Sequence, residues 1–128
     1  MVIFGHPWIE NGRFVKVFTL EQIRQTRPGD VILLEPFNVS IELARYCREH
    51  QLPFAVTVTT IREAIFANAL GAAYVLSEHE QAIAIQKIAD EYLFDTKVLV
   101  LIEEEKRIDT MARFGIDGVI FPAAIHQL

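Results

Sequence analysis

The sequence predicts an α/β fold, a parallel five-stranded sheet flanked by helices, and three observations carry that prediction. Five short runs rich in Val, Ile, Leu and aromatic residues recur along the chain, and segments with helical spacing separate them. The runs are also continuously apolar rather than alternating. Alternation marks a sheet with one face in water, so its absence means that helices cover both faces, as in parallel sheets.

In chain order, residues 1–18 break this rhythm and predict a β-hairpin arm, with 19–128 as the βα body of a single domain. Asn11-Gly12 carries the arm, because a two-residue type I′ turn needs positive φ at both positions. It lies between Trp8-Ile9 and the run Phe14 to Val17. Thr19 then starts a short helix through about Thr26, and Arg27-Pro28-Gly29-Asp30 turns the chain into the first parallel strand, Val31 to Leu34. Val39, Leu43 and Cys47 mark a helical stripe, and Phe54 to Val58 the second strand. Tyr74 to Leu76 is the third strand, followed by a stripe of Ala82, Ile85, Ala89 and Tyr92. Val98 to Ile102 and Val119 to Phe121 complete the set.

Composition bounds the function. With 128 residues, 52% of them hydrophobic, the chain can bury a real core without disulfides or metal, and the apolar surplus leaves some to face a second subunit. The formal net charge of -5 argues against nucleic acid, whose phosphates select basic surfaces. One cysteine, Cys47, and no basic leader before an apolar stretch predict a reducing cytoplasm, and no run approaches a membrane span.

Residues 67–76 can be laid over residues 111–120, an offset of 44, or two units of 22. In each copy a helix ends, a glycine (Gly71 or Gly115) takes the left-handed position, and a strand begins soon afterwards. Gly115-Ile116-Asp117-Gly118-Val119-Ile120-Phe121-Pro122 resembles the helix-to-strand segment of phosphate-binding (βα)8 barrel enzymes such as the tryptophan synthase α-subunit family. That resemblance implies an acidic active-site residue after the proline, but Ala123 stands there, so no catalytic residue transfers. A closed barrel usually takes about 250 residues. A flavodoxin-like doubly wound sheet therefore fits the length more simply, with a half (βα)8 barrel pairing with its own copy as the alternative.

In either architecture ligands sit beyond the carboxyl ends of the strands. The loops there run from Glu35, Thr59, Ser77, Glu103 and Pro122, and none contains the glycine that nucleotide and phosphate loops need, so a Rossmann or P-loop function is disfavoured. Thr19 with Gln22, Thr60 with Glu63, and Ser77 with Glu80 match the capping box, a structural use of their polar groups. The remaining ligand-binding candidates are Glu35, Glu78, His79 and Glu103, with His126 near the end of the chain. Glu35 stands out as the first polar position after an apolar strand, where a carboxylate either accepts helix-start hydrogen bonds or serves a ligand. Cys47 falls on an apolar stripe and reads as a buried thiol, and no Gly-x-Ser-x-Gly elbow or acidic receiver pocket is present.

The sequence assigns no catalytic residue and no cofactor, and no spacing diagnostic of a metal. Its leading expectation is a non-catalytic, self-associating module, a homodimer or larger, with Trp8, Ile9, Phe14 and Phe18 of the arm as aromatic and aliphatic anchors. The alternative is a small-molecule or divalent-metal binder, or an enzyme, working at the carboxyl ends of the strands.

Overall fold

The five apolar runs form the middle of the sheet, and three strands of three residues each extend it. The computed structural model describes residues 1–128. Along the chain come β1 (Val2–Phe4), β2 (Phe14–Lys16), α1 (Leu20–Arg24), β3 (Val31–Leu34), α2 (Ile41–Glu49) and β4 (Phe54–Thr57). They are followed by α3 (Ile61–Ala69), β5 (Tyr74–Ser77), α4 (His79–Glu91), β6 (Lys97–Leu101), α5 (Lys106–Arg113), β7 (Gly118–Ile120) and β8 (Ile125–Gln127). The eight strands lie in the order β1-β7-β6-β5-β4-β3-β2-β8, and every neighbouring pair is parallel.

This corrects the five-stranded, flavodoxin-like expectation. From β2 to β7 the strand order follows the chain without the reversal that a doubly wound sheet requires. Crossovers of one hand without a reversal put every helix on one face. Helix residues Ile23, Ala44, Cys47, Ala64, Ala67, Ala82, Ile85, Ala89 and Met111 all pack on the outward strand residues, among them Ile32, Val56, Val75 and Val119. The inner face is filled by strand residues such as Phe14, Leu33, Ala55, Leu76, Leu99 and Ile120, with Ala124 from the short turn after β7. Both faces are therefore apolar, as the runs require, but the second face is covered by the sheet itself.

The sheet curls. Phe4 on β1 and Phe14 on β2 stand first and seventh in the order, yet their rings meet edge to face at 4.9 Å. Tyr74, on the fourth strand, lies 5.4 Å from Phe4 and 5.5 Å from Phe14. Only a sheet bent round on itself brings these three together, so the half-barrel alternative fits. Its interior is a packed core, as in larger barrels. Short elements make it possible in 128 residues, since no strand exceeds five residues.

The arm is not a hairpin. Gly12 lacks the positive φ of a type I′ turn, and β2 is occupied on one side by β3 and on the other by β8. β1 instead pairs with β7, Val2 opposite Gly118. The intervening segment is pinned by Asn11, which donates to the Ile3 carbonyl, and by His6, whose Nε2 lies 2.5 Å from Glu105 Oε1. Strong parallel partners at both strands outweighed a local turn signal.

Gly71 and Gly115 have φ of 89° and 70°, as their place after a helix predicts. In both joints the next residue, Ala72 or Ile116, donates its N–H to a carbonyl five residues back, closing a Schellman motif. The same bond runs from Leu52 to Cys47 and from Phe94 to Ala89. The left-handed residues there are Gln51 and Leu93. Four successive helices thus end alike, each with an apolar residue turning down into the core. The paired echo in the sequence is half of a fourfold repeat.

Thr19 and Thr60 cap α1 and α3, and the side chains of Gln22 and Glu63 reach back to the amides of Phe18 and Thr59. These are capping boxes displaced by one residue at the return bond. Ser77 is different. The cap of α4 is Glu78, with no side-chain bond, and Ser77 Oγ donates to the Glu78 carbonyl instead. The stripes are also shorter than their periodicity suggests, because Val39 is exposed before the start of α2 and Tyr92 is exposed past the end of α4.

Candidate functional site

Side chains alternate along a strand, so Phe14 and Lys16 of β2 point the same way. Phe14 is in the inner core, which puts Lys16 above it at the carboxyl mouth of the curled sheet. The same alternation carries Leu33 to Glu35 and Ala55 to Thr57. These three residues line a cavity of about 410 Å³. Leu33, Leu76, Leu101 and Ile125 make its apolar surface, and Ser77, Glu78, His79 and Gln81 contribute to its rim.

The polar wall is a connected set. Lys16 Nζ lies 3.3 Å from Glu35 Oε2, and Thr57 Oγ1 donates to Glu35 Oε1 at 3.0 Å. The Lys16 side chain is 26% exposed and that of Glu35 31%, so both heads remain reachable from the cavity. An exposed ion pair contributes about 0–1 kcal/mol to stability, and partial burial adds a desolvation cost that offsets the stronger attraction. Placing two charges over an otherwise apolar interior is therefore poorly explained by stability alone. Glu35 accepts from Thr57 and is ion-paired with Lys16, and it takes no hydrogen bond from the helix start expected for a structural carboxylate.

His79 opens α4 on the rim. Arg107 Nη2 donates to its Nδ1 at 2.8 Å, and because arginine only donates, the proton of the neutral ring sits on Nε2. That Nε2, and the Nε of Arg107, are buried without a hydrogen-bond partner in the protein. Phe114 lies against the ring at 5.8 Å.

No protein-family model matches the chain, and no curated protein matches it either. The site therefore stands on its own geometry.

Of the candidates in the sequence, the structure brings Glu35, Glu78 and His79 to the same mouth. Glu103 is not among the lining residues; it is exposed just before α5, where Glu104 pairs with Lys106 at 3.1 Å. His126 is half-buried on β8, opposite Val15. No group of three or more His, Cys, Asp or Glu is placed to hold a metal ion. Cys47 is fully buried, and burial pushes its thiol up to about 11. Phe14 cannot serve as a surface anchor, because the curl closes over it, whereas Trp8, Ile9 and Phe18 are exposed.

Lys16 and Thr57 were absent from the sequence candidates. Each lay inside a run assigned as strand, so its polar character was absorbed by the element. The available signal was period two: Lys16 follows Phe14, and Thr57 follows Ala55, onto the inner face at the end where ligands bind. A second depression, at the amino ends of the strands, is lined by Met1, Val2, Tyr74 and Lys97 among others and contains no hydrogen-bonded polar set of this kind. No helix is long and apolar enough to cross a membrane.

Proposed function

We propose that this protein binds a small molecule in the carboxyl mouth of its curled sheet, with Lys16, Glu35 and Thr57 as the polar contacts. The observation that supports this most is the Lys16–Glu35 pair itself, partly exposed over an apolar floor and of little net value to stability. A concave apolar surface with a few converging polar groups is the usual form of a ligand site. The test is ligand-observed NMR with a library of small polar metabolites, on the wild-type protein and on Leu101→Trp. Leu101 lines the mouth and is 48% exposed, so the larger ring fills the cavity without disturbing the core. Ligands that bind the wild type and are lost in Leu101→Trp support the site; ligands bound equally by both place binding elsewhere.

A second function, self-association, is favoured by Trp8, which is 84% exposed, with Ile9 beside it and Phe18 also exposed. Large exposed aromatics of this kind anchor interfaces. Light scattering at tens of micromolar checks it: the expected mass is at least twice 14.6 kDa. A monomer mass contradicts it, and Trp8→Ser should weaken the assembly.

A further inference from the structure

The chemical class of the ligand follows from which bonds the polar wall has left to make, given that the mouth is the binding site. Lys16 has three N–H donors, and its one charged partner is Glu35, an ion pair that leaves these donors available. The Glu35 carboxylate has about four acceptor positions, of which Thr57 takes one while Lys16 is ion-paired with the other oxygen. Spare donors and spare acceptors therefore stand next to each other, about one ion-pair length apart.

A charged ligand gains little from such a wall. An anion drawn to Lys16 meets the Glu35 carboxylate beside it, and a cation drawn to Glu35 meets the ammonium. A neutral group that donates and accepts on adjacent atoms uses both. Neighbouring hydroxyls do this: one accepts from Lys16 while the next donates to Glu35. The floor of Leu33, Leu76, Leu101 and Ile125 suits the C–H face of the same molecule. The thiol and metal chemistries are absent from this mouth, since Cys47 is buried elsewhere and no metal-ligating group of three is formed. We infer that the mouth selects a small neutral polyol or monosaccharide carrying adjacent hydroxyls.

Calorimetric titration with three matched probes tests this: glucose, glucuronate and glucosamine, which share a ring and differ in charge. Heat of binding is used because sugars raise melting temperatures without binding. In the wild type, glucose should bind at least about tenfold more tightly than either charged probe. Lys16→Met should leave the carboxylate alone and move the preference to glucosamine. Glu35→Gln should leave the ammonium alone and move it to glucuronate. A wild type that binds a charged probe most tightly overturns the inference, whatever the variants do. If none of the three binds while the wider library yields a ligand lost in Leu101→Trp, the ligand class is wrong and the site stands. If that library also yields nothing, the site itself is wrong.

Discussion

Leu93 and Gly115 close successive helices in the same left-handed conformation, Leu93 at φ 53° and Gly115 at φ 70°. A residue with a Cβ pays roughly 1 kcal/mol there, which glycine does not. Leu93 gains nothing in return from burial, being 85% exposed.

Leu93→Gly should therefore raise stability by up to about 0.5 kcal/mol, the relief of strain being largely offset by the freer unfolded chain. Chemical denaturation of the two proteins measures it. A loss of stability would mean that the fourfold joint does not set the energy at this position.

Gly118 should be intolerant of alanine. An added Cβ would lie 2.7 Å from the Val2 carbonyl oxygen and 2.7 Å from Leu99 Cδ2, and it would collide with the Val2 side chain. Backbone cannot yield as a side chain can, so β1 must move away from β7. Gly118→Ala should cost about 1–3 kcal/mol. Hydrogen exchange should show the loss concentrated at the amides of Val2 and Phe121, which bond across this seam. A uniform loss over all strands would contradict the local cause.

Arg13 hydrogen-bonds Asp30 with Nε at 2.8 Å and Nη2 at 3.2 Å, and these bonds hold the Asp30 carboxyl below its usual value of 3.8. A carboxyl lowered in the folded state contributes stability above 3.8 that is lost as pH falls below it. Asp30→Asn should thus be less stable than the wild type at pH 7, and the difference should shrink on acidification below that point. A difference that is constant from neutral to strongly acidic pH would count against the pair.

The Cys47 thiol, with its pKa pushed up to about 11 by burial, should stay unreactive toward a disulfide reagent at pH 8 and react once the chain is unfolded. Rapid labelling of the native protein would show that α2 opens readily.

The central strands were legible because β3 to β7 are built on largely apolar runs that need cover on both faces. What covers the inner face was not legible. Whether a parallel sheet winds once or twice depends on strand order, and the strands that settle it are Val2–Phe4, Phe14–Lys16 and Ile125–Gln127. Three residues are too few for a period to mark a strand by itself, and Asn11-Gly12 drew Phe14–Lys16 into a false hairpin with Trp8-Ile9. The site divided in the same way. Glu35 was visible because it ends a run, and Lys16 and Thr57 were hidden because they lie inside one. The repeat was half hidden too, because Gln51 and Leu93 stand where glycine would have announced the joint.

The most direct test of the mouth as the binding site is backbone amide shift mapping on labelled protein titrated with the tightest neutral ligand found. Shifts should cluster at Lys16, Glu35, Thr57, Ser77 and Leu101, which come from five strands or strand ends and meet only at the carboxyl mouth. Shifts gathered instead around Tyr74, Lys97 and Asp117, at the amino ends of the strands, would contradict the account.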